Sequence, residues 1–336
     1  MKRTTILLGL TVAAVVLAAC SGSDTTTTTS PTDDATTTSS PTTTATPPTT
    51  TAPAGRVFVG ADGVETTIDD VSRIVSLNGD LTEIIFALGF GDNVVGVDIT
   101  TTYPAAAAAL NDQGETVGFA QQLAAEAVLR FEPTLVLGDQ QVGPPEVIEQ
   151  LRGAGIPVVI LETQTTLDGV ETKILQVAEI LDAPDAGTEL AAQVMDEIDA
   201  ARDLAATDES DPKIAYVYVR GPQVLLLFGA GMPTQGMIEG AGAIDAGAGA
   251  GVFGPAPLTP EALVAAAPDV IVLPEAGLAA LGGIEAFLEL PGVAETPAAQ
   301  NDAFLAYEEA YFFNLGPRAG QALDEFVHDL YPDIGG

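Results

Sequence analysis

Few residues in this sequence are equipped for chemistry. One histidine, His328, and one cysteine, Cys20, stand among 336 residues that include no tryptophan. Zinc, copper and iron–sulfur sites draw several nitrogen or sulfur ligands from the chain, so those classes are excluded. No G-x-S-x-G, H-E-x-x-H or Walker sequence occurs, and with no nucleophile or base constellation in view the chain is expected not to be an enzyme. GAGVFG at 249–254 has the letters of G-x-G-x-x-G, but it follows no expected strand and runs into PAPLTP instead of a helix, which discards it as a dinucleotide site. Eleven Lys and Arg face 47 Asp and Glu, a net charge of −36. Such a chain repels phosphate backbones, and without a basic run it has no nucleic-acid partner. The groups left for hydrogen bonding, charge pairing and aromatic contact are Tyr103 before a proline, Tyr218 near the end of an apolar run with Arg220 just past it, the cluster Tyr307, Tyr311, Phe312 and Phe313, and the paired glutamates Glu126 and Glu261.

The N-terminus reads as an address. Lys2 and Arg3 precede an apolar stretch over 5–19 that is shorter than the roughly 20 residues of a membrane span, and it ends in Leu17-Ala18-Ala19-Cys20. This resembles the lipobox of bacterial lipoproteins, which implies cleavage of residues 1–19 and acylation of Cys20, a lipid anchor in the membrane. An acylated Cys20 leaves no thiol for a disulfide, so the folded part must cohere by packing. Cleavage would leave nine cations against 47 carboxyls. Residues 21–54 hold 16 Thr, 5 Ser and 5 Pro, with no Val, Ile, Leu or aromatic residue to offset ordering entropy. Residues 20–55 are therefore expected to be a tether reaching roughly 30 to 100 Å.

From Arg56 the pattern becomes that of a folded body. RIVSL at 73–77, VVGV at 94–97, TLVL at 134–137 and PVVI at 157–160 are short apolar runs bounded by Gly, Asp or Pro, which predicts buried strands. DLTE at 80–83 has the capping-box form and opens a helix closed by Gly89, and GPPEVIEQLRGAG at 143–155 predicts another. A long helical stretch follows over 167–206, interrupted at Ala183-Pro184-Asp185. KIAYVYV at 213–219, QVLLLF at 223–228 and DVIVL at 269–273 then begin a second α/β set, with helices near 233–242, 260–267, 283–289 and 317–330. The second set echoes the first. EAVLRFEPTLVL at 126–137 and EALVAAAPDVIVL at 261–273 share a Glu-Ala start and a Pro seven residues after the Glu, at an offset of 135 residues. The expected organisation is α/β, with an N-terminal lobe over 56–166, connecting helices over 167–207 and a C-terminal lobe over 208–336. Two such lobes place a ligand in the cleft between them.

The lipobox, RIVSLNGDLTEIIFALGFGDNVVGVDITTTYP at 73–104, the EAVLRFEPTLVL unit, the long connecting helix and LGPR at 315–318 together resemble the substrate-binding lipoproteins of iron-chelate and cobalamin ABC importers, and among them the haem-binding members. The resemblance covers 73 to about 330. It implies two α/β lobes bridged by one rigid helix, and a monomer that hands haem to an ABC permease and its ATPase outside the cytoplasmic membrane. TTTYP at 100–104 matches the motif whose Tyr is an axial iron ligand, which maps that role onto Tyr103. YVRG at 218–221 maps a second ligand onto Tyr218, with Arg220 two residues on. Some relatives carry a ligand His where this chain has Gln121, so a His-ligated version is not available.

The residues are compatible with these roles. A phenol of ordinary pKa about 10 ligates poorly until deprotonated, and ferric iron and a nearby guanidinium both favour the phenolate. Haem propionates need a cation facing the cleft; Arg220 is the first candidate and Arg318 the weaker one. Each residue also has a plain structural use. Tyr103 fits a turn, Tyr218 fits any strand, and Tyr311 and Phe312 fit a core as well as a pocket wall. Glu126 and Glu261 resemble the permease-docking glutamates of the family, but both fall in a first helical turn, where the helix dipole favours a carboxylate anyway. Rival readings are the same fold carrying a ferric siderophore or cobalamin, and an extracytoplasmic sensor or adhesion lipoprotein.

Overall fold

The computed structural model describes residues 55–334. The expected signal peptide over 1–19, Cys20 and the tether up to residue 54 lie outside the described residues.

The body opens with an antiparallel hairpin, β1 (Arg56–Val59) and β2 (Glu65–Ile68). It is tied to the first lobe through Ala61 N–H to the Ile160 carbonyl at 2.7 Å, and to the helix that leaves that lobe through Arg56 to the Ile180 carbonyl at 3.0 Å. Four strands then form a parallel sheet in the order β4-β3-β5-β6: β3 (Ile74–Ser76), β4 (Val94–Val97), β5 (Leu135–Asp139) and β6 (Val158–Leu161). Parallel neighbours need crossovers, and the helices Gly79–Ala87, Ala105–Asp112, Ala125–Leu129 and Pro145–Gly153 lie in them. Every residue of β3 and β6 is buried, which is why both read as unbroken apolar runs.

The second lobe holds β7 (Lys213–Val219), β8 (Leu225–Phe228), β9 (Ile244–Asp245), β10 (Pro255–Pro257), β11 (Val270–Pro274) and β12 (Phe304–Tyr307). Its path is β10-β8-β7-β11-β12, with β9 beside β7. β7, β11 and β12 are parallel. β8 runs antiparallel to β7 because the few residues between Val219 and Leu225 cannot cross over.

Two helices join the lobes, Gly169–Ile180 and Pro184–Ala205. Pro184 opens the second at its first helical position, where a missing N–H costs nothing. Its 22 residues extend for roughly 33 Å at 1.5 Å per residue. It packs on Gly169–Ile180 and on the last helix, Ala319–Leu330. Both contacts close on glycine. A Cβ on Gly187 would sit 2.2 Å from the Ala178 Cβ, and one on Gly320 would sit 2.4 Å from the Glu197 Cβ. A continuous apolar core passes through this bridge, from Ile74 and Leu135 through Ile174, Val194 and Ile198 to Ile214 and Val272. Each sheet's other face has a core of its own, around Val136 and Leu151 in one lobe and Val217 and Phe287 in the other.

The internal echo is structural. The helices Ala125–Leu129 and Pro260–Ala266 each lead to a strand, β5 and β11, whose starts are again 135 residues apart. Glu132 (φ 46) and Ala267 (φ 44) both turn left-handed immediately before Pro133 and Pro268. The capping box at 80–83 did not form as expected. Asn78 is the N-cap, and its Oδ1 instead accepts the Asp139 N–H at 3.0 Å, while the Asp80 carboxylate is taken by Lys173. Among the described residues, no helix is long and apolar enough to cross a membrane.

Candidate functional site

A cavity of about 660 Å³ lies between the lobes, within the range of small-molecule sites. The first lobe contributes the loop after β4, with Ile99, Thr100 and Thr102, and the segment of Phe119, Gln121 and Gln122. Tyr218 and Arg220, at the end of β7, and Glu308, Glu309, Phe313 and Asn314 face them from the second lobe.

The loop after β4 is fixed from within. Asp98 accepts the Thr100 N–H at 2.7 Å and the Ala120 N–H at 3.0 Å, and the Asn111 amide reaches the carbonyls of Asp98, Ile99 and Thr101. Burial pushes the Asp98 carboxyl up despite these bonds. This loop carries Tyr103, which is 45% exposed and follows the lining residue Thr102. Thr102 donates to Glu308 across the lobes at 3.1 Å. The Arg318 guanidinium carbon lies 4.0 Å from the Tyr103 ring centroid.

Tyr218 stacks on Phe228, with centroids 5.4 Å apart and planes at 12°, and donates its hydroxyl to Glu309 at 3.2 Å. Burial and the Glu309 charge push its phenol up to about 12, with Arg220 pulling the other way. Arg220 stands 4.0 Å from Glu309 and 5.3 Å from the centroid of Phe119 on the opposite lobe. Six carboxylates line the cavity (Asp80, Asp139, Glu162, Glu275, Glu308 and Glu309) against the cations Lys173 and Arg220. Asp139 is pushed up by its burial and then by Asp80.

The structure therefore brings Tyr218 and Arg220 into the cleft with Tyr103 beside it, and it corrects the expected aromatic wall. Phe312 is 1% exposed, stacked on Tyr307 at 5.0 Å and edge-on to Phe326 at 5.1 Å. Burying a phenylalanine is worth about 1.5–3 kcal/mol, so it stays in the core. Tyr311 does not line the cavity either, its ring lying 5.0 Å from Arg318. The neighbouring Phe313 takes the wall position. Glu126 and Glu261 are exposed, second residues of their helices and away from the cavity. His328 is exposed on the last helix, bonded to its own turn. Sequence reading missed Phe119, Glu308 and Glu309. Glu308 shows a local sign in hindsight, since its carboxylate caps the helix Glu309–Phe313 through the N–H groups of Ala310 and Tyr311.

Two α/β lobes on a helical bridge, with a polar-and-aromatic cleft between them, define a ligand-binding protein of the two-lobed class. The chain belongs to the periplasmic binding protein family, whose model matches residues 74–311. The periplasmic heme-binding protein RhuT from Roseiflexus sp. RS-1, in apo form, is 42% identical, covering 78% of this chain and 99% of that one with a TM-score of 0.73. The heme binding protein HmuT is 33% identical over 84% of this chain and 91% of its own, with a TM-score of 0.76. A vitamin B12-binding protein of Pectobacterium carotovorum is 32% identical over 96 residues. That match spans about a third of the B12-binding relative's length.

Proposed function

We propose that this protein is an extracytoplasmic carrier of haem, anchored through an acylated Cys20, that delivers its cargo to an ABC permease driven by an ATPase. It acts as a monomer and transforms nothing. Tyr103 is the main iron ligand, Tyr218 stands on the other lobe as a second, and Arg220 meets a propionate. Glu126 and Glu261, one on each lobe, present the loaded protein to the permease. The observation that carries the reading is the cleft itself, with a phenol at its edge on one lobe, a phenol and a guanidinium on the other, and aromatic faces Phe119 and Phe313 between. The likeness to RhuT over nearly all of that protein supports it.

Titration of purified protein with hemin tests the proposal. A Soret shift that is lost in Tyr103→Ala and kept in Tyr218→Ala is expected; no shift in the parent protein overturns the haem reading. The partial match to B12-binding proteins favours cobalamin as the second reading. It predicts that cyanocobalamin, and not hemin, raises the melting temperature.

A further inference from the structure

We infer that Arg318 couples closure of the lobes to the presentation of Tyr103, so that parting the lobes withdraws support from the phenol that holds the iron. The inference rests on the reading of Tyr103 as ligand. Arg318 is the N-cap residue of the helix Ala319–Leu330, packed in the second lobe, and its side chain is 17% exposed. Its Nε and Nη2 donate to the two carboxylate oxygens of Glu83 at 3.0 and 2.6 Å. Glu83 belongs to the helix Gly79–Ala87 of the first lobe and is buried. A two-bond fork fixes the plane of a guanidinium as well as its position, which an ammonium cannot reproduce.

That plane is what Tyr103 meets. The Tyr103 ring centroid is 4.0 Å from the guanidinium carbon and the Tyr311 centroid 5.0 Å, while Glu308 stands 3.9 Å from Nη2 and accepts from Thr102, the residue before Tyr103. A first-lobe phenol thus rests on a second-lobe cation that is itself forked onto a first-lobe carboxylate. Lys173, on the bridge, ties the adjoining seam. It pairs with Asp80, three residues before Glu83, and donates to the Asn314 and Leu315 carbonyls at 3.2 Å. Opening the lobes breaks the Glu83 fork and carries Arg318 away with its helix. The half-exposed Tyr103 ring is then left on its loop without a packed face. Cargo is held while the lobes are shut and loosened as they are drawn apart; the phenolate freed from the iron takes up a proton from water, and no electron transfer is required.

The test measures hemin dissociation into excess apomyoglobin, together with the phenolate-to-iron charge-transfer band. Arg318→Ala is expected to speed release by about tenfold or more and to shift the band. Arg318→Lys, which keeps the charge and loses the flat fork, should behave like Arg318→Ala, and Glu83→Gln should fall between it and the parent. Should Arg318→Ala fail to fold, the other two variants carry the same comparison. In haem-free protein, the ring-proton resonances of Tyr103 should move in Arg318→Lys. Unchanged resonances, or wild-type release from Arg318→Lys, overturn the coupling while the parent still binds hemin. A parent that does not bind hemin overturns the haem reading and the coupling with it.

Discussion

At the scale of single residues, the two tyrosines sit in opposite company. The ring of Tyr103 lies against a guanidinium, whereas the hydroxyl of Tyr218 donates to a carboxylate. Burial and Glu309 push the Tyr218 phenol up to about 12, against an unperturbed value of about 10. The sign for stability follows from linkage. A phenol raised in the folded state favours folding fully below the unfolded pKa, and that contribution is lost as pH climbs from 10 through 12. Tyr218→Phe should therefore flatten the fall in urea midpoint between pH 10 and 12, and Glu309→Gln should bring a phenol absorbance transition to lower pH. An unchanged titration in Glu309→Gln would show that the carboxylate does not govern Tyr218. Tyr218 and Arg220 were legible in the sequence through the YVRG segment at 218–221, which resembles a ligand-bearing segment of the family, at the end of an apolar run that predicts a strand. Phe119 and Glu309 were not, since each meets its partner across 91 or more residues, a distance no local pattern encodes.

At the scale of elements, strands and long helices were the most legible parts. VVGV at 94–97 and KIAYVYV at 213–219 became β4 and β7 with those same bounds, because buried parallel strands are unbroken apolar runs between breakers. The helix Ala105–Asp112 went unread, since its run of alanines has no polar and apolar faces to contrast. The β1–β2 hairpin went unread because each strand has only four residues, RVFV and ETTI, whose burial alternates while their apolar residues do not. How the helices meet was also hidden. Gly187 and Gly320 hold the long bridge against its two neighbours at distances no larger residue permits. Gly187→Val should lower stability by about 1–3 kcal/mol, the cost of overpacking, while Gly249→Val, where an added Cβ meets open space, should cost less. Chemical denaturation of the pair checks this, and equal losses would locate the sensitivity elsewhere than in the helix contact.

At the scale of the whole molecule, charge would set the terms on which the proposed anionic cargo arrives. The chain carries 47 acidic against 11 basic residues, and the cavity repeats the imbalance with six carboxylates to two cations. One of those cations, Lys173, is engaged with Asp80 and two carbonyls, so Arg220, half-exposed and only loosely set against Glu309, is the cation facing the cavity with capacity to spare. On the proposed function, a haem with two propionates approaching this surface would be repelled over distances comparable to the Debye length, about 30 Å at 0.01 M salt and about 8 Å at 0.15 M. Once inside it would meet Arg220 at short range, where added salt screens less. Repulsion thus acts mainly on the encounter, and the attraction on the bound state. The proposed function therefore predicts that hemin association, followed by stopped flow, accelerates when salt rises from 0.01 to 0.15 M, by about twofold or more, while dissociation changes little. In Arg220→Ala the acceleration should persist and dissociation should become faster, because the residue acts after entry. A rate that falls with salt in the parent protein would mean that Arg220 steers the approach, with the surrounding carboxylates too far from the path to matter.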